Sequence, residues 1–307
     1  IGANEEAIKN FIKSFELNEN SKEVLDGLLS ILSQTKNFKI SDSNIIYAHN
    51  ELNKIQIKYN CDGFINDNDI KNLLTETNNI IDKYFEKLEF NRVQTYRETQ
   101  LSPHCNRHLK IFKTTSVIPE YCFGCYKIQI EVENVIELIK LYLVFDQFKF
   151  KNDNSRKCMI ELRPNVSGKY KGLIFCNSVN ESEEILKELS QILYKNFNKK
   201  LNYKIKRGCS EYAIKYPEYN RLDEGAMQYN VNWKITEKDF DKKNPDMTFK
   251  KKNNPTISGI TLFDALVFRN WLAFARIIDD ESYKKICNKD FYSKFVEEKI
   301  QLKQKYS

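Results

Sequence analysis

The spacing of apolar residues changes along the chain, from a helical repeat in the first third to an alternating pattern after residue 125. Over residues 68–90, apolar side chains recur three and four positions apart, which predicts an amphipathic helix. Its core-facing stripe comprises Ile70, Leu73, Leu74, Ile80, Ile81 and Tyr84. Near the C-terminus we expect a helix capped at about Thr261 and a charged final helix.

From residue 126 the pattern predicts six elements in the order strand, helix, strand, strand, helix, strand. They are expected at residues 126–132, 134–148, 157–163, 169–176, 180–197 and 202–209. Ser178 and Glu181 form a candidate capping box for the second of these helices. This order resembles a ferredoxin-like split β-α-β unit, which has a four-stranded antiparallel sheet with two helices on one side. The predicted fold class is therefore α+β.

Alternation along the predicted strands assigns side chains to the two faces of the sheet. The helix-covered face receives Ile128, Ile130, Val132, Cys158, Ile160, Leu162 and Ile205. The other face, expected to be free, receives charges of both signs: Lys127, Gln129, Glu131, Lys157, Glu161, Arg163, Lys204 and Lys206. Cys158 is thus expected to be a small buried side chain rather than a nucleophile.

The charged face supports an enzyme hypothesis. Glu131 and Glu161 could together bind Mg²⁺ or perform acid–base chemistry. The neighbouring cations could hold a phosphate or carboxylate group: Lys127, Arg163, Lys204 and Lys206. The alternative is that these residues only form solvated cross-strand ion pairs. No glycine-rich phosphate loop or nucleophile elbow accompanies them in the sequence.

A cysteine and histidine cluster precedes the first predicted strand. Cys105 and His108 are separated by two residues, and Cys122 and Cys125 in "CFGC" have the same spacing. Two such pairs in tight turns can converge on one tetrahedral zinc ion. A site closed by four protein ligands has no position for water, so the zinc would stabilise the fold rather than catalyse. His104 could replace His108 or orient the site.

Other interpretations of the cluster remain open. An iron–sulfur cluster could use Cys105, Cys122 and Cys125 with a distant cysteine such as Cys209. The CFGC pair also has the spacing of thiol–disulfide enzymes, and Cys122 and Cys125 could simply be buried thiols. Eight cysteines without a small disulfide-dense pattern favour a reducing compartment, so we predict a cytoplasmic protein.

The first helical segment carries a repeat-like pattern. Ala7, Phe11 and Ser14 place a large residue between two small ones on one helical face. The next frame of about thirty-four residues repeats this order with Ser41, Ile45 and Ala48, after Leu25 and Leu28 in the preceding helix. Residues 4–55 therefore resemble the C-terminal edge of a tetratricopeptide-repeat array. The resemblance implies a partner-binding surface, further repeats upstream and no chemistry; an ordinary amphipathic hairpin is the alternative.

Residues 168–189 are similar in layout to the third strand and second helix of an RNA-recognition motif. That family stacks bases on aromatic residues, but Lys171 and Leu173 occupy the corresponding positions here, so this mode of RNA binding is not expected. The net charge of +7 and the basic segments 198–207 and 242–252 permit an anionic partner without requiring one. The apolar segment 260–278 contains Asp264, Arg269, Asn270 and Arg276, so it predicts a buried helix rather than a membrane span.

These patterns divide the chain into residues 1–90, helical; 91–125, the zinc clip; 126–210, the ferredoxin-like domain; and 211–307, an aromatic and polar wrap with C-terminal helices. The wrap could cover the charged sheet face with its tyrosines. The leading hypothesis is a zinc-stabilised intracellular binding or accessory module, the C-terminal part of a longer repeat protein with a protein partner and no membrane contact. The alternatives are an enzyme acting on a phosphorylated or carboxylated small molecule, and a nucleic-acid-binding protein.

Overall fold

The computed structural model describes residues 2–18, 21–36, 42–55, 64–97, 105–164, 166–248 and 255–305. Its α-helices are α1 (Gly2–Leu17), α2 (Lys22–Leu32), α3 (Asn44–Leu52), α4 (Asp67–Tyr84), α5 (Cys105–Thr115), α6 (Glu120–Phe123), α7 (Val135–Gln147), α8 (Val179–Phe197), α9 (Ser210–Lys215), α10 (Trp233–Lys243), α11 (Pro245–Thr248), α12 (Leu262–Ile277) and α13 (Lys294–Lys305). Short 3-10 helices lie at Pro217–Asn220 and Glu281–Lys285. The strands are β1 (Gln94–Arg97), β2 (Tyr126–Val132), β3 (Arg156–Ile160), β4 (Tyr170–Cys176) and β5 (Asn202–Arg207). The protein is thus a mixed α+β structure.

The strands of the described residues form one sheet in the order β1-β3-β4-β2-β5, and every neighbouring pair is antiparallel. The six elements predicted after residue 125 are present in the predicted order, although β3 ends at Ile160 instead of residue 163. The edge strand β1 was not predicted, because its four residues contain a single apolar side chain, that of Tyr96.

Helices α7 and α8 cover one face of the sheet, where alternation placed the apolar residues. Ile128, Ile130 and Ile160 are fully buried there, and Cys158 is 1% exposed, as predicted for a core thiol. The closest approach of α7 is at Gly172 in β4. A Cβ atom at this position would lie 2.6 Å from Leu141 Cδ2 and 2.9 Å from Phe145 Cε2. Glycine therefore sets how near the helix can lie to the strand.

Helix α12 is the element through which the other parts of the structure pack together. It contacts α2 and α3 of the N-terminal helices, α7, strands β1 and β3, and α13. Its Trp271 is fully buried, and the helix is capped at Thr261 as predicted, through a capping box that Thr261 forms with Asp264. One apolar core consequently extends from Ile8 in α1 to Ile300 in α13.

A buried ionic network ties β1 to α7 and α12. The Arg97 guanidinium donates to Asp146 at 2.5 Å and to the Gly259 carbonyl oxygen at 2.5 Å, and its Nη1 lies 3.4 Å from Asp264. It also donates to the Tyr142 hydroxyl. A buried cation is costly unless it is paired and hydrogen-bonded, and Arg97 is satisfied in both respects.

The N-terminal helices pack through a face that is offset from the repeat-like pattern. Ile8, Ile12 and Phe15 form the buried face of α1, whereas Ser14 is exposed. Phe11 lies against Gly27 of α2, where an added Cβ would be only 2.7 Å from the ring. Of the second frame, Ser41 lies outside the described residues. The tetratricopeptide-repeat resemblance stays a prediction. No helix in the described part of the chain is long and apolar enough to cross a membrane.

The substitution Gly172→Ala should lower the free energy of unfolding by about 1–3 kcal/mol, because the new methyl group overlaps Leu141 and Phe145. Leu141→Ala alone should cost about 2–5 kcal/mol as a large-to-small core change. In urea denaturation, the free energy of unfolding of the double variant should be about 1 kcal/mol higher than the value expected if the two single losses added. Strict additivity would show that the helix-to-strand approach at Gly172 is not limiting.

Candidate functional site

A cleft of about 990 Å³ lies over the sheet face opposite α7 and α8. Strand side chains form its floor: Tyr96, Lys127, Lys157, Leu173, Phe175 and Lys206. Its walls come from segments distant in sequence, including the loop at residues 91–93, helix α5, the start of α9, helix α11 and Phe263 of α12. The site is thus assembled by tertiary packing around a flat β surface.

The prediction that this sheet face is free was wrong. Lys127 is 6% exposed, Gln129 3%, Glu161 1% and Lys171 2%. The surrounding helices and loops rise around the sheet and remove these side chains from bulk water, while a cleft remains between them. Charges in such a setting interact more strongly than on an open surface, because water screens them less.

Three lysines on the cleft floor have no carboxylate within 4.0 Å among the residues that the structure describes: Lys127, Lys157 and Lys206. Their contacts are weaker. Lys127 Nζ lies 3.2 Å from Cys209 Sγ and 5.0 Å from the centroid of the Phe175 ring. Lys157 Nζ donates to Gln94 Oε1 at 2.9 Å, and Lys206 Nζ donates to Ser210 Oγ at 3.2 Å. None of the three ammonium groups therefore forms a direct ion pair with a carboxylate of the described residues.

The antiparallel register places these lysines together. Lys127 of β2 is directly opposite Lys206 of β5, while Lys157 of β3 projects from the same face. Burial, together with the nearby charge of Lys127, lowers the pKa of both Lys157 and Lys206 to about 8. The cleft thus holds two lysines whose charge is lost just above neutral pH.

Glu161 forms a paired cluster at one side of the cleft. Its carboxylate accepts two hydrogen bonds from the Arg163 side chain, at 2.7 and 2.8 Å, and one from Lys171 at 3.1 Å. Arg163 also donates to Glu211 at 2.6 Å. Burial alone would raise the pKa of Glu161, but the bonds and charges of Arg163 and Lys171 lower it overall. Glu161 is accordingly ionised, and Arg163 and Lys171 neutralise its charge, so it is not available as a base.

Glu131 is placed differently from Glu161. It is not among the described residues that line the cleft, and its Oε1 accepts a hydrogen bond from Gln129 at 2.6 Å. Its ion pair is with Lys204, 3.4 Å away, whose side chain is 54% exposed. Lys171 lies close to both carboxylates. The structure therefore brings Lys127, Glu161, Arg163 and Lys206 to the cleft, and leaves Glu131 and Lys204 outside it.

The four predicted zinc ligands line one small cavity beside the cleft, together with Cys209 and Tyr212. Cys105 and His108 lie one turn apart on α5, so the prediction of a tight turn there was wrong; a helix places residues i and i+3 on the same face. Cys122 belongs to α6 and Cys125 immediately precedes β2. Cys105 and Cys209 also line the larger cleft, so the cavity and the cleft share a wall.

The cysteines that line the cavity are buried or partly buried, and burial favours the protonated thiol form. In the described part of the chain, no three histidine, cysteine, aspartate or glutamate side chains are arranged to hold a metal ion. Burial raises the pKa of Cys105, Cys122 and Cys125, that of Cys125 to about 11. Cys122 Sγ lies 3.5 Å from the Tyr212 hydroxyl. His104 lies outside the described residues.

The aromatic segment after residue 209 encloses the cysteine cavity instead of covering the lysines, contrary to expectation. Tyr212 and Tyr219 are buried with Cys122 and Ile118 in a separate apolar cluster. The Tyr219 hydroxyl donates to the Cys122 carbonyl oxygen at 2.6 Å. A buried tyrosine ring packs well against apolar side chains when its hydroxyl has a hydrogen-bond partner, and the Cys122 carbonyl oxygen is that partner for Tyr219.

The sequence pattern placed Lys157 on the charged face but gave no role to Lys157, Tyr96 or Phe175. Alternation along the strands placed Lys127, Lys157 and Lys206 on one face, but it could not show that this face is the floor of a cleft. No protein-family model matches this chain, and neither a curated protein nor a solved structure matches it. Its function is therefore inferred from the chemistry of the cleft and the cavity.

Proposed function

We propose that this protein binds a phosphorylated or carboxylated small molecule in the cleft over the sheet. The supporting observation is the group of three lysines on the cleft floor, Lys127, Lys157 and Lys206, without carboxylate partners among the described residues. Partly buried cations repel one another and lose hydration, and both effects are unfavourable. An anion bound between the lysines would offset this repulsion and loss of hydration.

The dimensions of the cleft agree with a small ligand. Its volume of about 990 Å³ lies at the upper end of the roughly 300–1,000 Å³ typical of ligand pockets. Lysine ammonium groups bind phosphate as point charges, and several of them can surround one anion. Leu173, Met159 and Phe263 supply apolar surface beside the lysines, which suits a ligand with an uncharged portion.

The competing hypotheses receive less support from the charge distribution. In the basic segment 198–207, Lys199 pairs with Glu133 and Glu137, and Lys204 pairs with Glu131. Such pairing reduces the positive surface that a nucleic acid would need. Glu161 is neutralised by Arg163 and Lys171 and is not available as a base, so we propose ligand binding in the cleft and no catalytic residue. The accessory-module hypothesis stays a prediction.

The fold assignment is part of the proposal. The β-α-β-β-α-β order and the sequence of strands β3-β4-β2-β5 support a ferredoxin-like unit, with β1 added at the β3 edge. Such a unit leaves one sheet face without its own helices, and here that face becomes the cleft floor. The fold itself does not specify the ligand.

We also propose that the cysteine cavity binds one zinc ion, as the sequence predicts. This is supported by the convergence of Cys105, His108, Cys122 and Cys125 on one cavity. Elemental analysis of the purified chain should give about one zinc per molecule, and Cys122→Ser should lose it together with part of its stability. If the protein contains iron and absorbs visible light, the cavity holds an iron–sulfur cluster and not zinc. Absence of both metals would contradict the proposal.

Replacing Lys206 by Gln should weaken anion binding to the cleft. Inorganic pyrophosphate and citrate serve as the phosphate and carboxylate probes, each measured by isothermal titration calorimetry. The loss of one charged contact should cost about 1.5–3 kcal/mol, or roughly ten- to a hundredfold in Kd. Lys204→Gln is the matched control on the same strand, because Lys204 lies outside the cleft and pairs with Glu131. Equal effects of the two substitutions would contradict the assignment, and the tighter of the two probes identifies the anion class.

Anion binding should also weaken as the pH rises through 8. Lysine is charged below its pKa, and the pKa values of Lys157 and Lys206 are lowered to about 8, so both lose positive charge above that pH. With sulfate, whose own charge is constant in this range, we expect Kd to increase about tenfold or more between about pH 7 and pH 9. The Lys157→Gln/Lys206→Gln variant should bind weakly at all these pH values. A wild-type affinity that is flat or increases with pH would contradict the role of these lysines.

A further inference from the structure

The wall shared by the cleft and the cavity contains a cysteine that the local motif omits. Cys209 is the N-cap residue of α9 and follows β5, far along the chain from the other cysteines. It nevertheless lines the same small cavity as Cys105, Cys122 and Cys125. All four are free thiols.

The backbone holds Cys209 beside the CFGC segment. The Gly208 N–H donates to the Cys125 carbonyl oxygen at 2.7 Å, so the residue preceding Cys209 is fastened to the last cysteine of the motif. Gly208 has φ +58°, and a side chain there would overlap the Tyr219 hydroxyl. Since a left-handed conformation and a close approach both require glycine here, the position of Cys209 is built into the chain.

A buried cation lies next to Cys209, which suits a metal ligand at this position. Lys127 Nζ lies 3.2 Å from Cys209 Sγ. A zinc ion with four thiolates has a net charge of about −2, and a buried ammonium group next to one sulfur offsets part of it. His108, by contrast, is 5% exposed, and its ring is stacked on Tyr121 at a centroid distance of 5.2 Å. Rotation of the imidazole toward a metal ion would break this stacking.

We infer that the zinc ion is held by Cys105, Cys122, Cys125 and Cys209, with His108 packed beside the site. This inference rests on the proposed zinc binding and does not require that an anion binds in the cleft. Zinc binding requires the cysteine side chains to rotate toward a common centre, since the thiols as placed form no metal-binding group among the described residues. It also releases the 3.5 Å contact between Cys122 Sγ and the Tyr212 hydroxyl.

The fourth ligand can be identified by elemental analysis of purified full-length variants. Cys209→Ser should lose the zinc, whereas His108→Phe, which keeps an aromatic ring against Tyr121, should retain about one equivalent. Retention of zinc by Cys209→Ser, or its loss from His108→Phe, overturns the assignment. Absence of zinc from the wild-type protein overturns the zinc proposal itself, whereas the pyrophosphate and citrate titrations test anion binding separately.

Cobalt substitution provides a test that does not depend on the folding of Cys209→Ser. The sulfur-to-cobalt charge-transfer absorption of Co(II)-loaded wild-type protein reports how many thiolates bind the metal. We expect the wild type and His108→Phe to give the same spectrum, with the intensity of four thiolate ligands. A change in the His108→Phe spectrum, or an intensity that fits three thiolates, assigns the fourth position to the imidazole and overturns the inference.

Discussion

The constraint on which this structure depends is that a single antiparallel sheet must satisfy two different environments. One face packs against α7 and α8, and it does so closely enough that Gly172 cannot carry a side chain without meeting Leu141 and Phe145. The other face carries long charged side chains that cannot be packed in the same way. Because side chains alternate along each strand, the residues that fix the core also fix where these charges go.

The buried charged side chains differ in whether they have oppositely charged partners. On the helix-covered side of the structure, Arg97 has two carboxylates, a carbonyl oxygen and a hydroxyl around its guanidinium group. In the cleft, Glu161 is similarly surrounded by Arg163 and Lys171. Lys127, Lys157 and Lys206 lack such partners among the described residues. Arg97 and Glu161 thus have oppositely charged partners that the three lysines lack, and the proposed anionic ligand would supply such a partner to the lysines.

Periodicity in the sequence predicted the six central elements, the Thr261 cap and the buried face of the sheet, because each depends on residues that are neighbours along one strand or helix. It did not predict β1, whose pairing with β3 stabilises a segment that has little pattern of its own. It also placed Cys105 and His108 in a turn instead of on α5. The cleft walls and the approach of Cys209 to Cys125 were beyond sequence reasoning, since both depend on segments that meet only in the folded protein.

The cavity and the cleft are joined through the contact between Lys127 and Cys209. Cys209 begins α9, and the adjacent Ser210 is the hydrogen-bond partner of Lys206. The backbone that positions one cleft lysine is therefore the same backbone that carries a proposed metal ligand. A zinc ion bound to Cys209, as proposed, would fix the end of β5 and the start of α9, and would thereby limit the movement of Lys206 relative to Lys127. The proposed metal site and the proposed anion site would then be coupled through Lys127, Lys206 and Cys209, without contact between the metal and the anion.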